Sequence, residues 1–323
     1  MAFVDQDKGW VAVVGRKLLS TNDGGTSWAT EVPEGIQIDF LDEKTGWAIR
    51  SGLDGTLIWR TTDGGDSWIH TMARGTRLRD IAVVSEDEAW GIKRGRAQPE
   101  PGQPSALVHT RDGGASWQEI SHPYSDRLDV GLDGIFFLDK THGWVICAGP
   151  LMKDPTRQGW ESRPPMILRT EDGGKTFQIA DTPWAHSGSF LPHRFSFSNA
   201  NEGWLAMGGP LLHTTDGGKT WEVVTPKVNG TQNEFGLIDC SFPTPTYGWA
   251  VGYGGVALRT RDGGKTWEQV ETGTEGIKGV RLDRVVFIDE EHGWILGEGG
   301  IPPSDMPPQH PGHGISFILK YRP

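Results

Sequence analysis

The chain has 323 residues, 46 of them glycine and 15 tryptophan, with a formal net charge of −11. Glycine lacks the every-third-residue spacing of collagen, Trp and Phe supply too much apolar surface for a disordered chain, and no stretch reaches the roughly 20 apolar residues of a bilayer span. The acidic balance argues against nucleic acid or an anionic membrane as main partner, and two cysteines, Cys147 and Cys240, cannot build a disulfide framework.

In chain order, one unit recurs seven times. Each opens with a short apolar strand A ending near Phe3, Phe40, Val83, Phe137, Phe197, Phe242 or Phe287. Seven residues later comes Trp10, Trp47, Trp90, Trp144, Trp204, Trp249 or Trp294, the start of strand B. Glycine precedes every one of these tryptophans except Trp90, which follows Ala89. Strand C then enters a box: TNDGGTSW (21–28), TTDGGDSW (61–68), TRDGGASW (110–117), TEDGGKTF (170–177), TTDGGKTW (214–221) and TRDGGKTW (260–267). Strand D leaves it, as in WEQV (267–270). Successive Gly-Trp motifs lie 37, 43, 54, 60, 45 and 45 residues apart, a period near 45 with insertions.

Alternating apolar strands bounded by Gly and Asp turns, repeated seven times without a helical period, read as an all-β chain. The expected fold is a single seven-bladed β-propeller domain over 1–323, with four-stranded antiparallel blades. The seventh unit supplies strand A (Arg284–Ile288), strand B (Trp294–Gly297) and strand C (Phe317–Tyr321), but neither box nor strand D. Either blade 7 is three-stranded or a native N-terminal segment is missing. The second is favoured, because it also accounts for an opening, MAFVDQDKGW, without an export signal, and it would make the native protein exported or envelope-bound.

The box has a mechanical reading. Its Asp (Asp23, Asp63, Asp112, Asp172, Asp216 or Asp262) accepts N–H groups within the turn, and the Gly pair supplies positive φ. One carboxylate per box is too few for a calcium site. No metal or cofactor is expected.

The pattern S/T-x-D-x-G-x-x-W/F is the Asp-box, or bacterial neuraminidase repeat. Together with F-x-D-x-x-x-G-W, as in Phe287 to Trp294, it resembles the photosystem II stability and assembly factor family across the whole chain. That resemblance implies a non-enzymatic scaffold, usually exported and carrying an arginine-rich patch.

Chain direction puts A–B turns and boxes at one end of the blades and the irregular B–C and D–A loops at the other. Long loops on a rigid scaffold are where binding resides. Trp160 and Trp184 occupy no repeat position and lie in those loops around blades 4 and 5. They read either as pins for their own loops or as an aromatic platform, with Arg157, Glu161, Arg163, His186, His193 and Arg194 offering polar contacts. Trp59 takes an aliphatic slot and is expected in the core. Ten residues before each strand-B Trp stand Gln37, Asp80, Gly134, Arg194, Asp239 and Arg284. These would ring a channel mouth, as mutual ion pairs or a small-ligand site. His310 and His313, in a Pro/Gly-rich loop, do not fix metal geometry.

Sialidase chemistry lacks its Arg-Ile-Pro motif. A glycoside hydrolase using two loop-face acids is the alternative, with Asp80, Asp129, Asp133, Asp239 and Glu298 as candidates. The preferred reading is a monomeric binding scaffold for a protein or an extracellular glycan.

Overall fold

The computed structural model describes residues 1–13, 17–31, 37–95, 105–127, 129–149, 152–153, 161–162, 165–183, 194–228, 231–232, 236–274, 277, 279–299 and 315–321. Its strands form a seven-bladed β-propeller, and no helix occurs among the described residues. Strands A to D pair antiparallel in chain order within each blade. Blade 1 comprises Ala2–Phe3, Gly9–Val13, Lys17–Thr21 and Ala29–Glu31. Blade 2 comprises Gln37–Phe40, Gly46–Ser51, Gly55–Thr61 and Ile69–Arg74. Blade 3 has Leu78–Val83, Ala89–Lys93, Ala106–Thr110 and Gln118–Glu119. Blade 4 has Gly131–Phe137, Gly143–Ala148, Pro165–Thr170 and Gln178–Ile179. Blade 5 runs through Arg194–Phe197, Gly203–Ala206, Leu211–Thr214 and Glu222–Val224. Blade 6 runs through Leu237–Ser241, Gly248–Gly252, Ala257–Thr260 and Glu268–Gln269. Blade 7 stops after three strands, Arg281–Phe287, Gly293–Gly299 and Ile315–Lys320. Two further antiparallel pairs, Met152–Lys153 with Glu161–Ser162 and Lys227–Val228 with Thr231–Gln232, are added to this plan.

The chain divides into two compact units. One comprises Met1–Ser187, Asn199–Asn201 and Thr214–Glu222; the other comprises Gly188–Ser198, Glu202–His213 and Val223–Pro323.

The repeat residues form the core of both units. Phe3, Phe40, Phe137, Phe197 and Phe287 stand directly across from Gly9, Gly46, Gly143, Gly203 and Gly293. A methyl group on any of those glycines would overlap the phenylalanine ring. In blade 3 the facing pair is Val83 and Ala89, so the smaller residue on strand A makes room for the larger one on strand B. Four strand-B tryptophans then stack on the phenylalanine of the next blade. In the first unit Trp10 lies 3.8 Å from Phe40 and Trp90 lies 5.0 Å from Phe137; in the second Trp204 lies 4.5 Å from Phe242 and Trp249 4.7 Å from Phe287. The second box glycine meets the previous blade's tryptophan as well: a Cβ on Gly174 would strike Trp90, and one on Gly264 would strike Trp204. Both glycines also have positive φ, +74° and +81°, so that position excludes a side chain twice over.

Strand A clasps its neighbour. Asp39 accepts the Val83 N–H at 2.8 Å and Asp80 the Ile135 N–H at 3.1 Å. In the second unit Ser196 accepts from Phe242 N, Asp239 from Val285 N and Ser241 from Phe287 N, at 2.8 to 2.9 Å. Box and A–B turn are joined within a blade. The first box glycine donates to the turn carbonyl in Gly64 to Lys44, Gly113 to Asp87, Gly173 to Thr141 and Gly263 to Thr246. Boxes and A–B turns therefore share one end of each of these blades, as chain direction implies, and the B–C loops leave from the other. Trp59 departs from expectation. It is only partly buried against the Trp10, Leu18, Ile38 and Ala48 cluster, with the Arg50 guanidinium over its ring at 6.0 Å.

Candidate binding surface at the loop ends of blades 2 and 3

The boxes are occupied by their own turns. In the first, Asp23 Oδ1 accepts from Thr21 Oγ1 and Ser27 N at 2.8 Å, and Oδ2 accepts from Ser27 Oγ at 2.6 Å. The same pattern recurs at Asp63, Asp112, Asp172, Asp216 and Asp262. The Ser27 hydroxyl and N–H bonds hold the Asp23 carboxyl down at about 2, and Ser67 does the same to Asp63. Both carboxylate oxygens of each box accept bonds from its own turn. Among the described residues no His, Cys, Asp and Glu cluster is arranged to hold a metal ion.

The opposite end of blades 2 and 3, within the first unit, gathers several basic residues. The C=O of Arg77 accepts the N–H of Arg94 at 2.7 Å, which sets these two residues side by side where strands A and B of blade 3 diverge. A register shift follows: Ile92 opposes Asp80 but Lys93 opposes Leu78, so Arg79 is bulged out of the ladder. A bulge re-aims its side chain. Blade 4 has the same shift at Asp133, and the two bulged residues meet, Arg79 Nη1 lying 2.5 Å from Asp133 Oδ1. Beneath them, buried Thr56 accepts the Leu78 N–H and donates to the Thr76 C=O, both at 2.8 Å, so the start of this strand is held rigidly.

Two cavities open here. One, of about 120 Å³, is lined by Gln37, Ile49, Ser51, Arg77, Leu78, Arg79 and Arg94. The other, of about 410 Å³, runs from Lys93 and Arg94 past Ser105 to His122 and Ser125. Arg94 lines both. Among the described residues four cations face two acids: Arg79 pairs with Asp133, and Lys93 with Glu119 at 2.7 Å. Arg77 and Arg94 have no carboxylate partner among the described residues, and the Arg77 Nε is buried without an acceptor. His122 lies half-buried at the far wall, and its burial lowers its pKa, so it is a neutral hydrogen-bonding group near pH 7. Two guanidiniums without a carboxylate partner among the described residues, in a cleft on a chain of net charge −11, are a local concentration of positive charge.

The residues singled out in the sequence divide into three groups. Trp160, Trp184, Arg157, Arg163, His186, His193, His310 and His313 lie outside the described residues, as does the Glu161 side chain. Asp80 accepts bonds from Gln37 Nε2 as well as from Ile135, and Asp239 is 2 % exposed beside Arg284 and Arg194. Burial pushes the Asp239 carboxyl up, against the opposing pull of those two arginines. The loop-face acids are engaged one by one: Asp129 with Arg127, Asp133 with Arg79, and Glu298 with Arg281 at 2.6 Å. Cys147 and Cys240 are buried free thiols, and burial raises the pKa of both. Arg77, Arg79 and Arg94 were not singled out from the sequence. Their trace is the basic run ARGTRLRD (73–80) and Arg94 shortly after strand B.

A family model described as photosynthesis system II assembly factor YCF48 matches residues 128–232 and 225–302, more than half of the chain. The chain belongs to this family. Among solved structures, one described as YCF48 bound to D1 peptide is 20% identical, with a TM-score of 0.64, covering 99% of this chain and 91% of that one. YCF48 from Cyanidioschyzon merolae is 19% identical with a TM-score of 0.67, covering 99% and 94%. The GH74 xyloglucanase from Xanthomonas campestris is 13% identical with a TM-score of 0.61, and the match covers 92% of this chain but 50% of the enzyme. At these identities the likenesses show the fold. No curated protein matches the chain.

Proposed function

We propose that this YCF48-family protein is a non-enzymatic assembly scaffold that holds an extended, carboxylate-bearing segment of a partner protein in the cleft between blades 2 and 3. The observation that carries this reading is the pair of arginines, Arg77 and Arg94, without a carboxylate partner among the described residues and lining adjoining cavities at a strand end. Family membership supports it, and so does the relative described as bound to a D1 peptide. The candidate acids of the hydrolase alternative are tied to arginines or to backbone, and the carboxyl that burial pushes up, Asp239, is closed to solvent. The test is a titration of labelled peptides tiled across D1 into the protein. Binding is expected to weaken with salt. Replacing Arg77 and Arg94 together by Ala should weaken it by roughly 100-fold or more, since each hydrogen bond to a charged group contributes about 1.5–3 kcal/mol. A doubly substituted protein that binds as the wild type does would refute the assignment.

A further inference from the structure

Blade 7 shows what normally surrounds an arginine at the place of Arg77. Arg281 stands 13 residues before Trp294, as Arg77 stands 13 before Trp90. Asp283 and Glu298 match Arg79 and Arg94 in the same way, 11 residues before and four after the tryptophan. The backbone agrees. Asp283 is bulged out of its ladder between Leu282 and Arg284, as Arg79 is between Leu78 and Asp80. Arg281 opposes Glu298, and the Arg94 N–H bonds the Arg77 C=O. In blade 7 both acids engage the guanidinium: Arg281 donates to Asp283 at 2.5 Å and to Glu298 at 2.6 Å. Blade 3 puts arginine at both of those positions. One cation with two anions in blade 7 becomes three cations in blade 3, and Asp133 of blade 4 offsets only Arg79.

The space between these arginines is the cavity of about 120 Å³. Its other polar groups are committed elsewhere. Ser51 Oγ donates to the Leu78 C=O, and Gln37 Nε2 donates to Asp80, which also accepts from Ile81 and Ile135 N–H. The Arg77 Nε is buried without an acceptor. We propose that this cavity is a subsite for a phosphate dianion, free or on a phosphorylated side chain of the partner, held between Arg77 and Arg94. A phosphate monoester carries on the order of −1.5 to −2 charge at pH 7 with three acceptor oxygens, which suits two planar, bidentate guanidiniums. A single carboxylate offsets only one of them. The proposal rests on the reading of this cleft as the binding surface and names the anion that its smaller cavity selects.

The test is calorimetric titration of inorganic phosphate at pH 7.5 and constant ionic strength. Phosphate should bind the wild type, and acetate should bind roughly tenfold more weakly or worse. Arg94→Glu recreates the Arg281–Glu298 pair, so it should keep the melting temperature of the wild type and lose phosphate binding. Arg77→Gln should weaken phosphate roughly tenfold. A blocked Gly-phosphoserine-Gly peptide separates the two sources: tighter binding than inorganic phosphate points to a modified partner, equal or weaker binding to the free ion. No binding at tens of millimolar phosphate, acetate binding as well as phosphate, or a folded Arg94→Glu protein that binds as the wild type does would each overturn the proposal. No D1 peptide is present in these titrations. Phosphate failing to bind therefore counts against this subsite alone, whereas D1 peptides failing to bind count against the wider reading.

Discussion

The Phe–Gly pair at the A–B turn shows how one residue's size sets its partner's. Gly46 faces the Phe40 ring with no room for a methyl group, so Gly46→Ala should destabilise the protein by about 1–3 kcal/mol in urea denaturation, an overpacking cost. Blade 3 offers the reciprocal experiment. Val83→Phe alone collides with Ala89, but Val83→Phe with Ala89→Gly recreates the arrangement of the other blades, so the pair should be less harmful than the sum of the single changes. Strict additivity would show that the two sites do not share space. A second residue-scale effect concerns His109, 5 % exposed, stacked on Trp90 at 4.2 Å and 2.9 Å from Glu88. Its pKa falls below the ordinary 6.5, first through burial and then through Arg111, against the pull of Glu88. The unfolded chain thus takes up the proton first. The neutral ring's contribution is complete above 6.5 and is lost as pH drops through that value. Melting temperature followed from pH 7.5 to 5 should fall less in His109→Arg than in the wild type, since arginine fills the same slot over Trp47 and Trp249. Parallel curves would contradict this account.

The box is the element that fixes each C–D turn. Asp63→Ala removes acceptors for Thr61 Oγ1, Ser67 N and Ser67 Oγ, and should lower the denaturation midpoint, measured by chemical denaturation. The sign with pH follows from depressed carboxyls. Asp23, Asp63 and Asp172 titrate at about 2 rather than 3.8. Their stabilisation is therefore complete above 3.8 and lost as pH falls from there toward 2. The melting temperature of the wild type should drop steeply across that window, and Asp63→Asn should drop less. Much of this was legible in the sequence, because D-G-G and Gly-Trp are local demands for positive φ and close approach that no other residues meet. Strand D was less legible. In blades 3, 4 and 6 it is a strand of only two residues, both exposed, and so carries no burial pattern. The strand-A bulge left no trace at all. It depends on how two strands separate at the loop end, and nothing in Leu78-Arg79-Asp80 distinguishes a bulged residue from a paired one.

For the whole molecule, the repeat separates scaffold from surface. Boxes and A–B turns are near-identical and used up by their own hydrogen bonds, so variation collects at the opposite ends of the blades. The sequence pointed to that end, through tryptophans in loops around blades 4 and 5 that lie outside the described residues. The arginine cleft lies on blades 2 and 3, where Arg77, Arg79 and Arg94 converge only after the bulge and the Arg94–Arg77 backbone bond are made. A chain of net charge −11 hides a basic site because composition averages over the surface on which the site is a local exception. The central claim is that this cleft receives the partner segment. The most direct measurement is amide chemical-shift mapping by NMR as a binding D1 peptide is added. The account predicts shifts concentrated at Ser51, Arg77 to Arg79, Lys93, Arg94 and His122, absent in the Arg77→Ala, Arg94→Ala protein. Shifts centred on the boxes, or unchanged in that variant, would contradict it.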